Sequence, residues 1–179
     1  VVRKPGARVW LPSENEWYKA AYHKNDGVTG NYFDYPTSSD IVPGRDGLEN
    51  TNPGNNANYS DNGFVIGSPY YRTVAGEFQL SDSPYGTFDQ GGNVFEWNEA
   101  LHDSSKRGYR GGSYNFLSYN LQSSILNYDD PLNENNIVGF RIASVSCPSA
   151  DLTNDCFVDF EDLAKVASQW LSGLSDQFD

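Results

Sequence analysis

Hydrophobic and polar positions follow a regular period in only a few short stretches of this chain. The first stretch predicts a strand at residues 8–11 and then a helix that begins after Ser13, where Glu16 completes a capping box. Trp17 and the alanines that follow it recur at helical spacing, which indicates a buried face. His23 lies at the end of this helix, and we expect it in solvent.

Long irregular stretches separate the remaining elements. Residues 25–62 show no persistent period and are rich in Gly, Pro, Asn, Asp and Ser, which is typical of loops. A short strand and turn are predicted at residues 70–78 and a strand at residues 138–143, and residues 114–131 are again irregular. A helix with an apolar stripe is predicted after Asp162. These irregular stretches are therefore predicted to be loops.

Residues 86–97 have the composition of a tight backbone curl. Gly91 and Gly92 lose more conformational entropy on folding than other residues would, and a tight curl that needs glycine would explain their presence. Such a curl directs carbonyl oxygens towards a hard cation, whose shell Asp89 and Glu96 complete. The alternative is a glycine-rich turn that leads into an aromatic core strand, and the residues alone leave both interpretations open.

The composition changes near residues 144–149, and an acidic segment with the spacing of a calcium loop follows. Thr153, Cys156 and Asp162 depart from the most common residues at loop positions 3, 6 and 12, and the alternative is an acidic turn without a metal. The predicted side-chain ligands at positions 1, 3, 5, 9 and 12 are Asp151, Thr153, Asp155, Asp159 and Asp162, and Phe157 supplies its carbonyl at position 7.

The chain has two cysteines, Cys147 and Cys156, in this part of the sequence. Their small separation is compatible with one local disulfide or with a free pair. A bridge between them would constrain the predicted calcium loop from outside.

The formal net charge of −12 argues against two classes of partner. Nucleic acids and anionic membranes would both be repelled by a surface with this charge. No apolar run is long enough to cross a bilayer. An acidic chain rich in Asp and Asn instead suits calcium, and the high aromatic content is typical of many extracellular domains.

Four ordered motifs in the main body resemble the formylglycine-generating enzyme family, also called the sulfatase-modifying factor domain. They read RVWLPSENEWYKAA, YGTFDQGGNVFEWNEA, YRGGSY and IVGFRIA. The resemblance implies an α+β fold over residues 1–145, a variant of the C-type lectin fold with little regular secondary structure and bound calcium. The family domain normally begins several tens of residues upstream of the LPSENEW helix, so we expect the N-terminal part to be missing.

The resemblance also implies two calcium sites. One is matched by two carboxylates and two backbone carbonyls. The other begins at an Asn-Tyr pair that the residues alone would leave as ordinary loop positions. The matching positions are the side chains of Asp89 and Glu96, the carbonyls of Gly92 and Val94, and Asn58 with the Tyr59 carbonyl.

This chain departs from the family where its catalytic chemistry is located. Formylglycine-generating enzymes use two cysteines after the GGS motif, at the positions that Phe116 and Leu121 occupy here. Neither side chain forms a thiolate or binds copper. Iron-dependent sulfoxide synthases of the same fold need three histidines, and this chain has only His23 and His102. We therefore predict that the domain is not an enzyme; the alternative is a sulfatase-modifying oxidoreductase that converts cysteine to formylglycine.

Residues 146–179 resemble one half of a dockerin, which is a calcium loop followed by a helix of the EF-hand type. The resemblance implies a calcium-binding module with a cohesin-like partner. A full dockerin has two such segments, and one is present here.

The predicted function is that of a secreted or cell-surface, calcium-stabilised binding or structural domain. Its partner is an unknown extracellular protein or glycan, and residues 114–131 form the exposed face, with ligand contacts from Phe116, Tyr119 and Tyr128. The competing hypothesis is that these rings pack inside, which we favour for Tyr114. Two further hypotheses are a scaffold recruited through its tail and a ligand-binding variable protein.

Overall fold

The computed structural model describes residues 3–46, 54–145, 152 and 159–173, with side chains described as far as residue 168. The chain divides into two compact units, one of residues 11–142 and one of residues 2–10 with 143–179. Both contain short strands and a single described α-helix, so the architecture is mixed α and β with little regular structure. That much of the predicted fold class is confirmed.

Helix α1, Glu14–Tyr22, forms as its sequence predicts. Ser13 Oγ accepts a hydrogen bond from the Glu16 N–H at 3.2 Å, and Glu16 Oε2 accepts one from the Ser13 N–H at 2.8 Å, so the capping box is complete. The Tyr22 hydroxyl is buried and donates to the Leu121 carbonyl at 2.9 Å. Burial raises the pKa of Tyr22, so this hydroxyl stays protonated and continues to donate.

A four-stranded sheet supports the glycine-rich stretch. Its central strand β2 pairs antiparallel with β3 and parallel with β5, and β3 pairs antiparallel with β4. Glu96 on β2 therefore lies between Arg110 and Gly139. The strands are β2 (Phe95–Leu101), β3 (Arg107–Arg110), β4 (Asn127–Asp129) and β5 (Val138–Phe140), and a 3₁₀ turn spans Ser118–Leu121 between β3 and β4.

The second unit contains two short strands and a helix. Strand β1 (Val9–Trp10) pairs antiparallel with β6 (Ala143–Ser144), and α2 spans Phe160–Gly173. The single closing strand predicted at residues 138–143 is wrong, because the structure divides it between β5 and β6 in different sheets. Among the described residues, no helix has the length and apolar character needed to span a membrane.

Aromatic side chains hold the long loop that follows α1. Tyr35, Ala57, Tyr59 and Leu121 form one buried cluster, which gives the described parts of this loop, residues 25–46 and 54–62, a core without regular structure. The strand predicted at residues 70–78 is wrong. The chain turns there, with left-handed backbone at Tyr71 (φ 56°) and Gly76 (φ 81°), which a strand does not allow.

Candidate functional site

The glycine-rich stretch packs its backbone directly against two other loops. The Gly92 N–H donates to the Gly111 carbonyl at 2.7 Å, and the Asn93 N–H donates to the Asn58 carbonyl at 2.7 Å. Gly92 has a φ of 76°, and a Cβ there would lie 2.3 Å from the Asn58 carbonyl oxygen. Both the left-handed conformation and the close approach therefore require glycine at this position.

Glu96 is a buried carboxylate, 7% exposed, whose two oxygens both accept hydrogen bonds. Arg141 donates from Nη2 to Oε1 at 2.7 Å and from Nε to Oε2 at 2.5 Å. The Trp17 indole N–H donates to Oε2 at 2.7 Å. These donors compensate the carboxylate for its loss of hydration, and through them Glu96 joins α1, β2 and the chain at Arg141.

A cavity of about 520 Å³, which we name the Glu96 cavity, lies beside this ion pair and is also lined by Asp89, Val94, Phe88 and Phe140. Asp89 Oδ2 accepts a hydrogen bond from the Gly76 N–H. The structure thus brings together two of the carboxylates predicted to bind calcium.

Two backbone carbonyl oxygens of the glycine-rich stretch are further candidate cation ligands. Within the described chain, neither the Gly92 nor the Val94 carbonyl accepts a hydrogen bond. Carboxylate and carbonyl oxygens are the ligand types that Ca²⁺ takes in proteins, so Asp89 and these carbonyls fit this ion. Glu96 has the right ligand type, but both of its oxygens already accept hydrogen bonds from Arg141 and Trp17. A calcium ion held here would supply positive charge beside the Asp89 carboxylate.

The two members of the predicted second calcium site differ in their surroundings. Asn58 is fully buried, and its Oδ1 has no hydrogen-bond partner among the described residues. A buried oxygen without a partner is costly, and a cation would satisfy it. The Tyr59 carbonyl already accepts a hydrogen bond from Arg45 Nε at 3.0 Å. Asn58 therefore fits a metal ligand, whereas the Tyr59 carbonyl is bound to a guanidinium group.

The predicted calcium loop of the tail is described at two of its ligand positions. Asp162 is buried, and its carboxylate accepts from the Leu152 N–H at 2.7 Å and from the Asp159 N–H at 3.0 Å. Asp159 Oδ1 accepts from the Glu161 N–H at 2.8 Å, which caps α2. Asp151, Thr153, Asp155 and Phe157 lie outside the described residues, as do Cys147 and Cys156.

The two positions that the resemblance assigns to catalytic cysteines are occupied by packed apolar side chains. Leu121 is fully buried in the cluster with Tyr35 and Tyr59. The Phe116 ring lies edge-on against the Phe95 ring, with 5.0 Å between centroids. Both side chains fill core volume, and neither carries a group that binds copper.

The rings predicted to contact a ligand differ in exposure. Tyr119 is 52% exposed, beside Leu117, which is 50% exposed. Tyr128 is half-buried and stacks on His102, with 4.4 Å between ring centroids. Phe116 is half-buried by its contact with Phe95. The expectation that Tyr114 packs inside is confirmed, since it is 7% exposed. Tyr119 is therefore the predicted contact residue that is most accessible.

Sequence reasoning missed a second cavity, of about 340 Å³, at the end of α1. It is lined by Lys19, His23, Tyr32, Tyr85, Asn25 and loop residues 27–30, and we name it the α1-end cavity. His23 is at the end of α1 and partly exposed, as expected, but both of its ring nitrogens are hydrogen-bonded, to the Tyr85 hydroxyl and the Val28 carbonyl. Its partner Tyr85 is distant in sequence, so no local pattern identifies the pair.

Comparison with known proteins gives a family and a fold. The sulfatase-modifying factor enzyme 1-like domain (FGE-sulfatase) matches residues 4–145. Among solved structures, the chain is similar to CarF, with 22% identity, a TM-score of 0.56, and coverage of 80% of this chain and 51% of that one. It is also similar to Treponema denticola variable protein 1, with 24% identity, a TM-score of 0.50 and coverage of 76% and 47%.

A third similar structure is PvdO from Pseudomonas aeruginosa, with 16% identity, a TM-score of 0.47 and coverage of 76% and 52%. The chain spans about half the length of these solved structures. Comparison with curated protein sequences gave no significant match. The structural likeness concerns the fold.

Proposed function

The chain belongs to the family of sulfatase-modifying factor enzyme 1-like domains, and from this premise we propose that it is a non-catalytic, calcium-stabilised binding domain that acts outside the cell. The formal net charge of −12 and the aromatic content of 15% support an extracellular setting in which calcium is abundant.

The observation that carries the non-catalytic assignment is the packing of Leu121 and Phe116. A catalytic thiolate needs a partly exposed position with groups that lower its pKa. Leu121 instead has no exposed surface, and Phe116 packs on Phe95. These side chains contribute stability at the positions where the family resemblance implies redox chemistry.

Turnover is the direct test of this assignment. Purified protein, loaded with copper(I), is incubated with a cysteine-containing peptide and oxygen, and formylglycine is measured by mass spectrometry. We expect no product above the copper-only control. A variant with Cys147→Ser and Cys156→Ser serves as the matched control, because product from the parent chain that this variant loses would place the activity in the tail. Product from both chains would refute the non-catalytic assignment.

The binding face that we propose is centred on Tyr119. Tyrosine offers a large contact area at low entropic cost, and here its ring is half exposed beside Leu117. Phe116 and Tyr128 would contribute the parts of their rings that stay accessible, because each is only half-buried against another ring. A glycan array and a panel of extracellular proteins, probed with the parent chain and with Tyr119→Ala, test the proposal. Loss of a hit in Tyr119→Ala but not in Tyr70→Ala, an exposed tyrosine elsewhere, supports it.

Calcium binding at the Glu96 cavity is proposed from its oxygen ligands. Asp89 and the Gly92 and Val94 carbonyls would hold the ion, Glu96 would join them in exchange for a hydrogen bond from Arg141, and Asn58 would contribute at the second site. Calorimetric titration tests this, with Asp89→Asn as the variant and Asp82→Asn, an exposed aspartate, as the control. Saturation at about a hundred times the Kd would raise the free energy of unfolding by about 2.7 kcal/mol. Equal calcium binding by both variants would contradict the assignment of Asp89.

The tail is proposed to bind one calcium ion and a cohesin-like partner. Asp159 and Asp162 supply the described ligand positions, and Phe160 on α2 is 86% exposed, as expected for a contact residue. The same titration with Asp155→Asn tests the metal. Pull-down with a cohesin panel tests the partner, and equal recovery of the parent chain and Phe160→Ser would contradict a docking role for α2.

A further inference from the structure

The α1-end cavity has no part in the proposed function above. It shares no lining residue with the Glu96 cavity or with residues 114–131. With a volume of about 340 Å³, it is at the small end of the range of ligand-binding cavities. Its walls come from the last turn of α1, from Asn25 and loop residues 27–30 and from the turn at Tyr85, all within the same compact unit.

His23 holds these three walls together. The Asn25 backbone N–H donates to Nδ1 at 3.1 Å, so Nδ1 is the acceptor and the ring proton is on Nε2. The Tyr85 hydroxyl lies 2.8 Å from Nδ1 and donates to it as well. Nε2–H then donates to the Val28 carbonyl at 3.0 Å. The cavity is therefore formed before any ligand arrives, which reduces the entropic cost of binding.

Lys19 provides an uncommitted positive charge in this cavity. Its Nζ lies 5.6 Å from the centroid of the Tyr85 ring, and it makes no ion pair with any described residue. Neighbouring Lys24, by contrast, pairs with Asp40 at 3.0 Å. In a chain with a formal net charge of −12, an available ammonium group beside a cavity is unusual, and it favours an anionic ligand.

Asp26 is the acidic residue of loop 25–30, and both of its carboxylate oxygens accept hydrogen bonds from within the chain. Asp26 Oδ1 accepts from the Val28 N–H at 3.0 Å, and its Oδ2 accepts from Asn31 Nδ2. These hydrogen bonds, with that of Val28 the largest cause, lower the pKa of Asp26. This carboxylate is ionised, but it is directed to its own loop and does not line the cavity.

Hydroxyl groups and two aromatic rings of the cavity indicate which other features the ligand has. The hydroxyls of Thr29 and Tyr32 have no hydrogen-bond partner within the described part of the chain, so each is available to donate to a ligand or to accept from it. Tyr32 and Tyr85 are 36% and 38% exposed, so each leaves part of its ring available to a C–H surface. We propose that this cavity binds an acidic sugar, whose carboxylate pairs with Lys19 and whose ring packs against the tyrosines.

Two simpler ligands use only part of this arrangement. An inorganic anion would pair with Lys19 and leave both tyrosine rings without a contact. A neutral sugar would pack on the rings and leave the ammonium group unpaired. The acidic sugar, either free or at the end of a glycan, engages both features.

Amide chemical shifts of the ¹⁵N-labelled protein are the readout, during titration with sodium glucuronate, glucose or sodium phosphate at constant ionic strength. We expect glucuronate to shift the amides of residues 27–30 and to bind about tenfold more tightly than glucose. An oligosaccharide that ends in glucuronate distinguishes a free acidic sugar from one at the end of a glycan. Tighter binding than free glucuronate assigns the site to glycan ends, and equal binding assigns it to the free sugar.

Two variants with the same charge change decide the role of Lys19. Lys19→Gln should weaken glucuronate binding about tenfold, whereas Lys24→Gln should leave it within about twofold, because Lys24 lies outside the cavity. Tyr85→Leu should weaken glucuronate but not phosphate. If Tyr85→Leu fails to fold, the comparison of the two lysine variants still decides whether Lys19 binds glucuronate.

The proposal would be overturned if the amides of residues 27–30 did not respond to glucuronate, or if the protein bound glucose as tightly as glucuronate. It would also be overturned if Lys19→Gln and Lys24→Gln weakened glucuronate binding equally. Phosphate binding that Lys19→Gln abolishes, combined with no preference for glucuronate over phosphate, would also overturn it in favour of a simple anion site.

Discussion

Glu96 and Lys19 are both charged side chains beside a cavity, yet their surroundings are opposite. Glu96 is 7% exposed and receives three hydrogen bonds from Arg141 and Trp17. Lys19 is exposed, and its described contact is the face of the Tyr85 ring. A charge with a full set of partners contributes to the fold, whereas a charge without them is available to a ligand.

Substitutions should therefore have different consequences in the two regions. Around Glu96 and the glycine-rich stretch, backbone and side chains interlock, so substitutions should lower the free energy of unfolding. Around Lys19 the walls are fixed by His23, and the lysine itself should matter for binding alone. Substitutions in and around the glycine-rich stretch test the first half of this contrast, beginning with the largest expected effect.

The largest effect is expected from Gly92→Ala. Its Cβ would lie 2.3 Å from the Asn58 carbonyl oxygen, so the two loops would have to separate. We expect a loss of more than about 4 kcal/mol of unfolding free energy, because overpacking and left-handed strain act together. Urea denaturation followed by tryptophan fluorescence measures it.

Gly86→Ala is the matched control for this substitution. Gly86 has a similar φ of 70°, but a Cβ there meets nothing within 4 Å. Its cost should be only the conformational strain of about 1–2 kcal/mol. Equal destabilisation by the two substitutions would mean that the contact with Asn58 contributes nothing, and the interlocked description of this region would be wrong.

A smaller loss is expected from Glu96→Gln. The neutral amide keeps the shape but leaves the Arg141 guanidinium without its carboxylate, and we expect a cost of about 3 kcal/mol. Glu134→Gln makes the same chemical change on an exposed loop and should cost less than about 0.5 kcal/mol. Similar unfolding midpoints for both variants would show that the buried ion pair between Glu96 and Arg141 contributes no more stability than an exposed glutamate.

The elements that were predicted from sequence are those with local causes. Helix α1 was predicted correctly because Ser13 and Glu16 are three residues apart and cap the helix by themselves. The closing strand was predicted as one element, because nothing near Arg141 in sequence indicates its partner. Arg141 lies between β5 and β6 and pairs with Glu96, 45 residues away, while the two strands belong to different sheets.

The candidate sites show the same limit. Asp89 and Glu96 were predicted as one group because one short glycine-rich stretch carries both, and both line the same cavity. The partners of Glu96 come from Trp17 and Arg141, far on either side, and no periodicity relates them. The α1-end cavity was missed for the same reason, since His23 meets Tyr85 across 62 residues of sequence. Composition revealed the type of residue available but not which residues meet.

The smallest predicted effect concerns Asp103, which has partners but is not buried. Its Oδ1 accepts from the N–H groups of Ser105 and Lys106 at 2.8 and 2.9 Å, in the turn between β2 and β3. These hydrogen bonds, that of Ser105 first, lower the pKa of Asp103 to about 2 from 3.8. Because the folded state has the lower pKa, the stabilisation is present above about pH 4 and is lost as the pH falls towards 2.

We therefore expect Asp103→Ala to lower the melting temperature slightly at pH 7 and less at pH 3. Thermal unfolding of both proteins across this range measures the difference, with Asp82→Ala as an exposed control that makes no such turn. A difference that stays constant from pH 7 to pH 3 would mean that the ionised carboxylate adds nothing beyond its shape. A shrinking difference would place Asp103 between Glu96 and Lys19: its partners stabilise the fold, but exposure to water keeps their contribution small.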